Sequence, residues 1–274
     1  MEILRNIDEL KAFLDANKGK EIGFVPTMGF LHNGHAKLIE QASYENEISI
    51  VSVFVNPTQF LPHEDYEKYP RDEKHDIAMA KGCKATAIFL PSPSDIYFDD
   101  DIKVMAPSHM ASILEGATRP GHFDGMCSVI AKFLCLIKPN RAYFGKKDTQ
   151  QLLIVQKLVK GLFLDTQIVP CQIVRAGDGL ALASRNSYLN ETELMDACKL
   201  YRSLVKAKNM FASGISDAKQ IRLEMEKILE PLKIDYIAIC DRQLHEIDHL
   251  VENSSIILIA AYVGKTRLID NLWI

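Results

Sequence analysis

Apolar runs alternate with helical patterns along the first part of the chain. Four short runs rich in β-branched or aromatic residues predict strands within residues 21–27, 47–55, 85–91 and 141–145. The second run is apolar at almost every position, which indicates a strand buried on both faces. Between the runs, apolar residues recur every three or four positions, most clearly before Pro139, which ends the predicted helix. This series is typical of βαβ units.

The alternation continues beyond residue 145 and then stops. A helix predicted from about Asp148 to Leu164 is followed by a strand within residues 166–174, which Pro170 interrupts. Strands that alternate with helices form parallel sheets covered by helices. We therefore predict an α/β fold in which residues 1–175 form a Rossmann-like, doubly wound parallel sheet.

Two consecutive helices are predicted after this point. Asn190 and Glu193 stand at the spacing of a capping box, and the helix that they open ends near Gly214. Ser216 is the predicted cap of the second helix, which ends near Pro231.

Two apolar runs then close the chain and predict strands over residues 234–240 and 254–263. Helices that are followed by strands, instead of alternating with them, are typical of α+β structure. The expected organisation is a larger domain over residues 1–175 and a smaller α+β domain over residues 176–274.

Composition restricts the classes of function. The chain of 274 residues is 47% hydrophobic and 25% charged, as is ordinary for a globular protein with a sizeable core. Its formal net charge of −4 argues against nucleic acid or an anionic membrane as partner and favours small molecules. No apolar run approaches about 18 residues, the first residues are charged, and the six cysteines show no C-x-x-C spacing. We expect a cytoplasmic protein with reduced thiols and neither signal peptide nor membrane span.

The first predicted strand leads directly into a motif with two histidines. In the stretch FVPTMGFLHNGHAKLI, His32 and His35 flank Gly34 where a helix is predicted to begin. The N-terminus of a helix presents unpaired N–H groups and the positive end of its dipole, which suits phosphate. Imidazoles donate hydrogen bonds to phosphate oxygens, and glycine allows close approach of the backbone. A packed or solvated side chain is the better interpretation of either histidine alone, but together they favour a nucleotide site.

Polar clusters also follow the second and fourth predicted strands. Asn56 and Gln59 lie in NPTQF, and Lys147 and Asp148 lie in GKKD. Ligands of a doubly wound sheet bind beyond the carboxyl ends of its strands, so these clusters and the histidines are expected on one rim. Each cluster also has a simpler interpretation: a turn at Asn56, a solvated Lys147, or a helix cap formed by Asp148 and Gln151.

One motif suggests a different chemistry. HEIDH, residues 245–249, matches the H-E-x-x-H pattern of zinc hydrolases, which requires both histidines on one helix face. The match lies between two predicted strands and lacks the x-x-G continuation, so solvated loop histidines explain it better. The acidic run at residues 99–101 is likewise predicted to be a solvated turn. We expect no zinc and no metal held by protein ligands alone.

Five motifs, in order, resemble those of the pantothenate synthetase (pantoate–β-alanine ligase) family, within the HIGH-motif nucleotidyltransferase superfamily. They are PTMGFLHNGH, VFVNPTQF, RPGHFDG, YFGKKDTQQ and DGLALASRNSYL. The resemblance implies an ATP-dependent condensation of (R)-pantoate with β-alanine through a pantoyl-adenylate, with release of pyrophosphate and AMP. It also implies a homodimer and Mg²⁺ held mainly by the phosphates of ATP.

The same resemblance implies roles for individual residues. Those implied to bind ATP are Met28, Gly29, Phe30, Leu31, His32, Asn33, Gly34, His35, Gly145, Lys146, Lys147, Asp148, Val174, Leu182, Ala183, Ser184 and Arg185. Those implied to act in catalysis are His35, as the acid in adenylation, with His32, Lys147, Ser184 and Arg185. Those implied to bind pantoate are Gln59, Gln151 and Asn56. The C-terminal domain is implied to close over ATP.

The chain departs from the family pattern at a few positions. Ala183 stands where the family commonly has a serine, Lys146 where glutamine is usual, and Thr149 where tyrosine is common. Three alternatives stay open at this point: an adenylate-forming ligase for another small acid, a nucleotide-binding module without turnover, and the zinc hydrolase. The glutamines Gln59 and Gln151 favour a small hydroxy acid as substrate.

Overall fold

The computed structural model describes residues 1–61 and 66–274 and divides the chain into two compact units. Unit 1 comprises Met1–Gly145 and Gln150–Cys171, and unit 2 comprises Lys146–Thr149 and Gln172–Ile274. None of the helices in the described part of the chain has the length and apolarity needed to cross a membrane.

A parallel sheet forms the centre of unit 1. Its strands are β1 (Glu2–Leu4), β2 (Ile22–Thr27), β3 (Ile48–Val53), β4 (Ala87–Phe89), β5 (Arg141–Gly145) and β6 (Gln167–Cys171). They are ordered β1–β4–β3–β2–β5–β6, and every pair is parallel. Because the chain order reverses between β2 and β5, the sheet is doubly wound, which confirms the predicted fold class. The crevice that such a sheet offers to a ligand lies beyond the carboxyl ends of its strands at this reversal.

Helices connect these strands. They are α1 (Ile7–Ala16), α2 (Asn33–Glu45), α3 (Glu73–Gly82), α4 (Pro93–Ile96), α5 (Ser108–Ser112), α6 (Glu115–Thr118), α7 (His122–Ile137) and α8 (Thr149–Gly161). Helix α7 is buried along most of its length, which explains its apolar pattern, and it ends before Pro139 as predicted. Strand β3 is buried at five of its six positions, in agreement with its apolar sequence.

Unit 2 combines two helices with an antiparallel sheet. The helices are α9 (Glu191–Ala212) and α10 (Ala218–Leu229), and the strands are β7 (Lys233–Cys240), β8 (Ile256–Val263) and β9 (Thr266–Trp273). The strands pair in chain order, β7–β8–β9. Apolar residues of α9, α10 and the sheet share one core cluster. The α+β class expected for this part of the chain is therefore confirmed.

The helix signals of unit 2 were correct in one case and displaced in the other. Asn190 and Glu193 form the predicted capping box of α9. The cap of α10 is Asp217, whose carboxylate accepts from Gln220 N–H at 2.7 Å, so the assignment to Ser216 was wrong by one residue. Both residues are good caps, and the sequence alone does not distinguish them.

The prediction of two closing strands was also wrong, because β9 forms a third. Its sequence, TRLIDNLW, mixes charged and polar residues with apolar ones and lacks the apolar run that identified β8. In the fold these polar residues are accommodated by specific partners, and Asp270 and Asn271 are buried. The edge strand β1, only three residues long, was not predicted either.

The cysteines agree with a reduced interior. All six are free, and only Cys135 is exposed. Burial raises the pKa of Cys127, Cys171 and Cys240 to about 12. These thiols therefore stay protonated at neutral pH and are not nucleophiles.

Candidate active site

The loop that follows β2 has a backbone that only particular residues allow. Gly29 has a φ of +83°, and an added Cβ would lie 2.8 Å from Val53 Cγ1 and 2.9 Å from Asp76 Oδ2. The next residue, Phe30, also has a positive φ, of 50°. The Gly29 N–H donates to Thr27 Oγ1 at 3.2 Å, which ties the loop to the end of its strand. The loop between β2 and α2 is thus closely constrained.

The two histidines of the motif cap helix α2. His32 is the N-cap, and its Nδ1 accepts from Gly34 N–H at 3.0 Å. His35 Nδ1 accepts from His32 N–H at 3.3 Å, which completes a reciprocal capping box. Gly34 leaves room for this arrangement, because a Cβ there would lie 2.7 Å from His32 Cε1. The structure therefore places His32, Gly34 and His35 together at a helix N-terminus, with the ring centroids of the histidines 4.1 Å apart.

The caps also define which ring nitrogen carries hydrogen. A nitrogen that accepts a bond from a backbone N–H holds no proton, so in this arrangement both Nδ1 atoms are bare and each neutral ring carries its hydrogen on Nε2. Each Nε2 then carries a hydrogen that an anion can accept, and the positive end of the helix dipole adds to the attraction. This is the chemistry required to bind phosphate.

Asp76 binds the backbone of this loop, a role that the sequence did not predict. It lies on α3, is 1% exposed, and accepts from Phe30 N–H at 2.9 Å and from Leu31 N–H at 2.7 Å. The neighbouring His75 places Nε2 3.0 Å from Leu31 O. Burial raises the pKa of Asp76, although the two N–H donors oppose this shift. In the sequence, Asp76 stands among other charged residues in RDEKHD, and no signal distinguishes it from a solvated carboxylate.

Asn56 and Gln59 follow β3 in a 3-10 turn and are both buried. Asn56 Nδ2 donates to Gln59 Oε1 at 3.0 Å, and Asn56 Oδ1 accepts from Tyr97 OH at 2.6 Å. Gln59 Nε2 lies 3.0 Å from Met28 Sδ, so the NPTQF and PTMG motifs meet. Asn56 thereby orients the amide of Gln59, and a contact of Asn56 with substrate stays a prediction.

The RPGHFDG motif packs against the same turn. His122 Nδ1 lies 2.8 Å from Gln59 O, and Arg119 also donates to this carbonyl, at 3.4 Å. Gly125 is required by contact, because a Cβ there would overlap the backbone carbonyl of Thr58. The start of α7 thus fixes the turn that presents Gln59. The third residue predicted to bind pantoate, Gln151 on α8, also belongs to unit 1 and is half-buried.

The lysine segment after β5 lies in unit 2. Lys146–Asp148 form a 3-10 turn in which Lys147 Nζ is 3.4 Å from Asp148 Oδ1. The side chain of Lys147 is 20% exposed, whereas that of Asp148 is 53% exposed. Lys146 Nζ lies 4.7 Å from the centre of the Trp273 ring, and burial, with a smaller effect from Arg242, lowers the pKa of Lys146.

The remaining predicted ATP residues form a hairpin and turn in unit 2. Leu182 N–H donates to Val174 O at 3.0 Å, so these two residues are neighbours. A 3-10 turn then begins at Ser184, in which Arg185 is exposed. Ala183 precedes this turn in an extended conformation, and its methyl side chain forms no capping hydrogen bond.

The structure gives no support to a zinc site. Residues 245–249 form no helix and lie in the connection between β7 and β8, where His245 Nδ1 is 3.5 Å from Asp241. In the acidic run, Asp101 pairs with Lys132. Within residues 1–61 and 66–274, no group of three His, Cys, Asp or Glu side chains is placed to hold a metal ion.

Comparison with known proteins adds independent evidence. The family model described as pantoate-beta-alanine ligase matches residues 2–273. Pantothenate synthetase of Campylobacter fetus is 56% identical over 274 residues, and that of Thermosipho melanesiensis is 46% identical over 276 residues, with 99% or more of both chains covered in each case.

Solved structures agree with these relatives. Pantothenate synthetase from Thermus thermophilus is 38% identical and superposes with a TM-score of 0.94, covering 100% of this chain and 99% of that one. The pantoate-beta-alanine ligase from Francisella tularensis, complexed with beta-gamma ATP and beta-alanine, is 38% identical with a TM-score of 0.82, covering 100% and 97%. Since the family model spans nearly the whole sequence and the relatives align from end to end, the chain belongs to the pantoate-beta-alanine ligase family.

Proposed function

We propose that this protein catalyses the ATP-dependent condensation of (R)-pantoate with β-alanine, which yields pantothenate, AMP and pyrophosphate. The observation that best supports this function is the paired-histidine cap of α2, which suits phosphate, in a chain that belongs to this family over nearly its whole length. A family member complexed with beta-gamma ATP and beta-alanine adds support for two of the three substrates.

The reaction has two steps. A carboxylate oxygen of pantoate attacks the α-phosphorus of ATP, the bond to the β-phosphate breaks, and pyrophosphate leaves. The amine of β-alanine then attacks the carbonyl carbon of the pantoyl-adenylate, loses a proton, and expels AMP. Neither step forms a bond to the protein, so the residues contribute by positioning and charge stabilisation.

In unit 1, the loop from Met28 to His35 is proposed to bind ATP. His32 and His35 donate hydrogen bonds from Nε2 to phosphate oxygens, and the role of His35 as the acid in adenylation is that of a donor that stabilises the charge on the departing pyrophosphate. Gln59, held by Asn56, and Gln151 bind the hydroxyl and carboxylate of pantoate. The glutamine amide is suited to this task because it offers both a donor and an acceptor.

In unit 2, Lys147 is proposed to neutralise phosphate charge and Asp148 to bind the ribose, with Lys146 beside them. Gly145, the last residue of β5 in unit 1, is also proposed to bind ATP. Val174 contacts adenine. The segment Leu182–Arg185, including Ala183, is proposed to contact the phosphates through Ser184 and Arg185. The division near residue 175, with residues 176–274 closing over ATP, is part of this proposal.

Mg²⁺ is proposed to accompany ATP. The described residues contain no complete set of protein ligands for a metal. Such a site is compatible with magnesium, because this ion commonly binds through substrate phosphates and water. When bound, the ion neutralises charge on the phosphates. We further propose that the protein acts in the cytoplasm as a homodimer on small molecules, without nucleic acid or membrane as partner.

The first experiment measures exchange of labelled pyrophosphate into ATP with Mg²⁺ and without β-alanine. Pantoate should support exchange, whereas reactions with no acid or with other small carboxylic acids should not. This result would establish both the reversible adenylate and its acid.

The same experiment separates the alternatives. Exchange with another acid but not with pantoate would keep the adenylating chemistry and reject the named substrate. The absence of exchange with every acid would reject the proposal and leave a nucleotide-binding module, which direct measurement of ATP binding would then test.

A further inference from the structure

Strand β9 carries two buried polar residues next to each other. Asp270 is 4% exposed and Asn271 is 2% exposed. Removing a carboxylate and an amide from water is unfavourable unless each finds partners. In unit 2 these partners lie in the lysine segment and, at Arg175, in the hairpin that leads into the Leu182–Arg185 segment.

Asn271 binds the lysine segment. Its Nδ2 donates to Lys146 O and to Lys147 O, each at 2.9 Å, so both amide hydrogens go to consecutive backbone carbonyls. The opposite end of the amide, Oδ1, is buried and meets no hydrogen-bond partner among the described residues. The amide of Asn271 thus uses both donor hydrogens on the lysine segment, while its acceptor oxygen is buried without a hydrogen bond.

Trp273, two residues further on, holds the same segment. Its Nε1 donates to Thr149 Oγ1 at 3.1 Å, and Thr149 Oγ1 donates to Lys146 O at 2.6 Å. Alternate residues of a strand lie on one face, so Asn271 and Trp273 contact the segment from the same side of β9. Together they fix the peptide planes on either side of Lys147 and hence the direction of its side chain.

Asp270 binds the other segment. Its two oxygens accept from Arg175 Nη1 and Nη2, at 2.6 and 2.9 Å. Arg175 Nη1 also donates to Gly179 O at 3.1 Å, and the guanidinium lies over the Tyr201 ring, 4.4 Å from its centre. A planar, bidentate pair of this kind fixes orientation as well as position.

This ion pair fixes the hairpin that leads into the Ser184 turn. Arg175 bridges to Ala181 across the hairpin, and Leu182 N–H binds Val174 O. Gly179, at the tip, has a φ of +94°, and a Cβ there would overlap the ring of Tyr201. The hairpin is therefore held from β9 on one side and from α9 on the other.

We propose that Asp270 and Asn271 are positioning residues that hold the two ATP segments of unit 2 from adjacent positions of one strand. The Asn271 N–H donates to Asp270 Oδ1 at 2.8 Å, which links the two anchors directly. A single strand thereby sets the spacing between Lys147 and the Leu182–Arg185 segment. This inference rests on the proposed function, because that function gives these segments their ligand.

The test uses Asn271→Asp and Asp270→Asn, which preserve shape. The first replaces a double donor with oxygens that face the two carbonyls, and the second removes the charge from the ion pair. Asp235→Asn is the matched control, because Asp235 accepts two bonds from Arg267, at 2.9 and 2.8 Å, in the same sheet. Asp235 belongs to neither ATP segment.

In pyrophosphate exchange, both test variants should raise KM for ATP by about ten- to a hundredfold, the effect of a displaced binding group. KM for pantoate should stay within about twofold of wild type, because the proposed pantoate residues lie in unit 1. Asp235→Asn should leave both constants unchanged. A purely structural role would instead lower the fraction of active protein without moving KM.

If Asn271→Asp does not fold, Trp273→Phe replaces it. This change keeps an aromatic ring but removes the Nε1 donor and part of the indole surface over which Lys146 and Arg242 lie; a rise in KM for ATP of about fivefold is expected. An unchanged KM in the folded variants, or the same change in Asp235→Asn, would overturn the inference.

Calorimetric titration with ATP and Mg²⁺ separates this inference from the proposed function. If the wild type binds ATP but shows no pantoate-dependent exchange, the proposed function is rejected. Weaker ATP binding by the variants would then still support the positioning role of Asp270 and Asn271. Wild type that neither exchanges nor binds ATP would overturn both.

Discussion

The two units build their candidate ATP contacts over different distances along the chain. At the start of α2, the capping bonds join His32 to Gly34 and to His35, residues two and three positions apart. In unit 2, the lysine segment is bound by Asn271, 124 and 125 positions away, and Arg175 is bound by Asp270, 95 positions away. The first arrangement is local, and the second depends on the completed fold.

This difference has consequences for both stability and recognition. A local cap requires only that the helix forms, and its bonds order few residues. The unit 2 contacts require β9 to be paired before they exist, so they tie the geometry of the lysine segment to the integrity of the sheet. We therefore expect substitutions at the histidines to alter chemistry with limited effect on folding, and substitutions around β9 to alter both.

The largest expected effect is at His35, where two functions of one ring can be separated. His35→Asn places an oxygen near the position of Nδ1 and keeps the cap acceptor, but it loses the Nε2 donor. His35→Gln keeps an Nε2 donor, and its Oε1 also keeps a cap acceptor, because glutamine is a standard partner at this position of a capping box. The free-energy barrier to adenylation should rise by about 2–4 kcal/mol in His35→Asn and His35→Ala, and by less in His35→Gln.

Stability should follow a different order. Loss of the cap acceptor should lower the free energy of unfolding by about 0.5–2 kcal/mol in His35→Ala, and by less in His35→Asn and His35→Gln, which both keep an acceptor. Pyrophosphate exchange and urea unfolding measure the two properties. His245→Ala, in a side chain that is 62% exposed, is the control and should change neither. If activity and stability fall in the same order across the series, the ring does not act through Nε2.

A smaller effect, at Asp76, tests how local the first site is. Asp76→Ala leaves Phe30 N–H and Leu31 N–H without their acceptor and should lower the free energy of unfolding by about 1–3 kcal/mol. KM for ATP should rise as the loop loses its conformation. Asp95→Ala, which removes a carboxylate that accepts from Ser92 N–H at the start of α4, should leave KM for ATP unchanged.

The Asp76 effect should also depend on pH. Burial raises the folded pKa of Asp76 above its ordinary value, so the native state binds the proton more tightly than the unfolded state. The stability that this titration contributes is fully present below the unfolded pKa and is lost as pH rises through the folded pKa. The destabilisation by Asp76→Ala should therefore be greater near about pH 4, where carboxyl groups usually titrate, than near about pH 7. A greater loss at neutral pH would show that the N–H bonds to the ionised carboxylate outweigh its burial.

The parts of the molecule that the sequence predicted share short-range signals. Strands β2 to β6, the apolar helix α7, the capping box at Asn190 and the histidine pair at the start of α2 are all encoded by residues within one element or one turn. Periodicity and caps act over this distance, so they can be detected without knowledge of the fold. The shared rim, expected because polar clusters follow three strands of a parallel sheet, stays a prediction.

The parts that were missed depend on distant partners. Strand β9 was missed because Asp270 and Asn271 make its sequence partly polar. These side chains are buried with hydrogen-bond partners in Arg175 and the lysine segment, and the spacing of the sequence reveals neither partner. Asp76 is similarly hidden among solvated charges, although its carboxylate sets the loop before α2. Buried polar residues are therefore the positions at which the sequence of this protein is least informative about its site.

The smallest expected effect is at Thr149, the residue through which β9 reaches the lysine segment. Thr149→Val keeps the shape of the side chain but removes both the bond to Lys146 O and the acceptor for Trp273 Nε1, which should lower the free energy of unfolding by about 1 kcal/mol. KM for ATP should rise by no more than about fivefold, because Asn271 still holds Lys146 and Lys147. Thr149→Ser retains the hydroxyl and should match wild type in both measurements. Trp273 is the only tryptophan of the chain, so its fluorescence during an ATP titration reports on this segment directly. A Thr149→Val protein as impaired as Asn271→Asp would show that Thr149 matters as much as Asn271 for the position of Lys147. The long-range contact of β9 with the lysine segment would then be shared by Asn271 and Trp273.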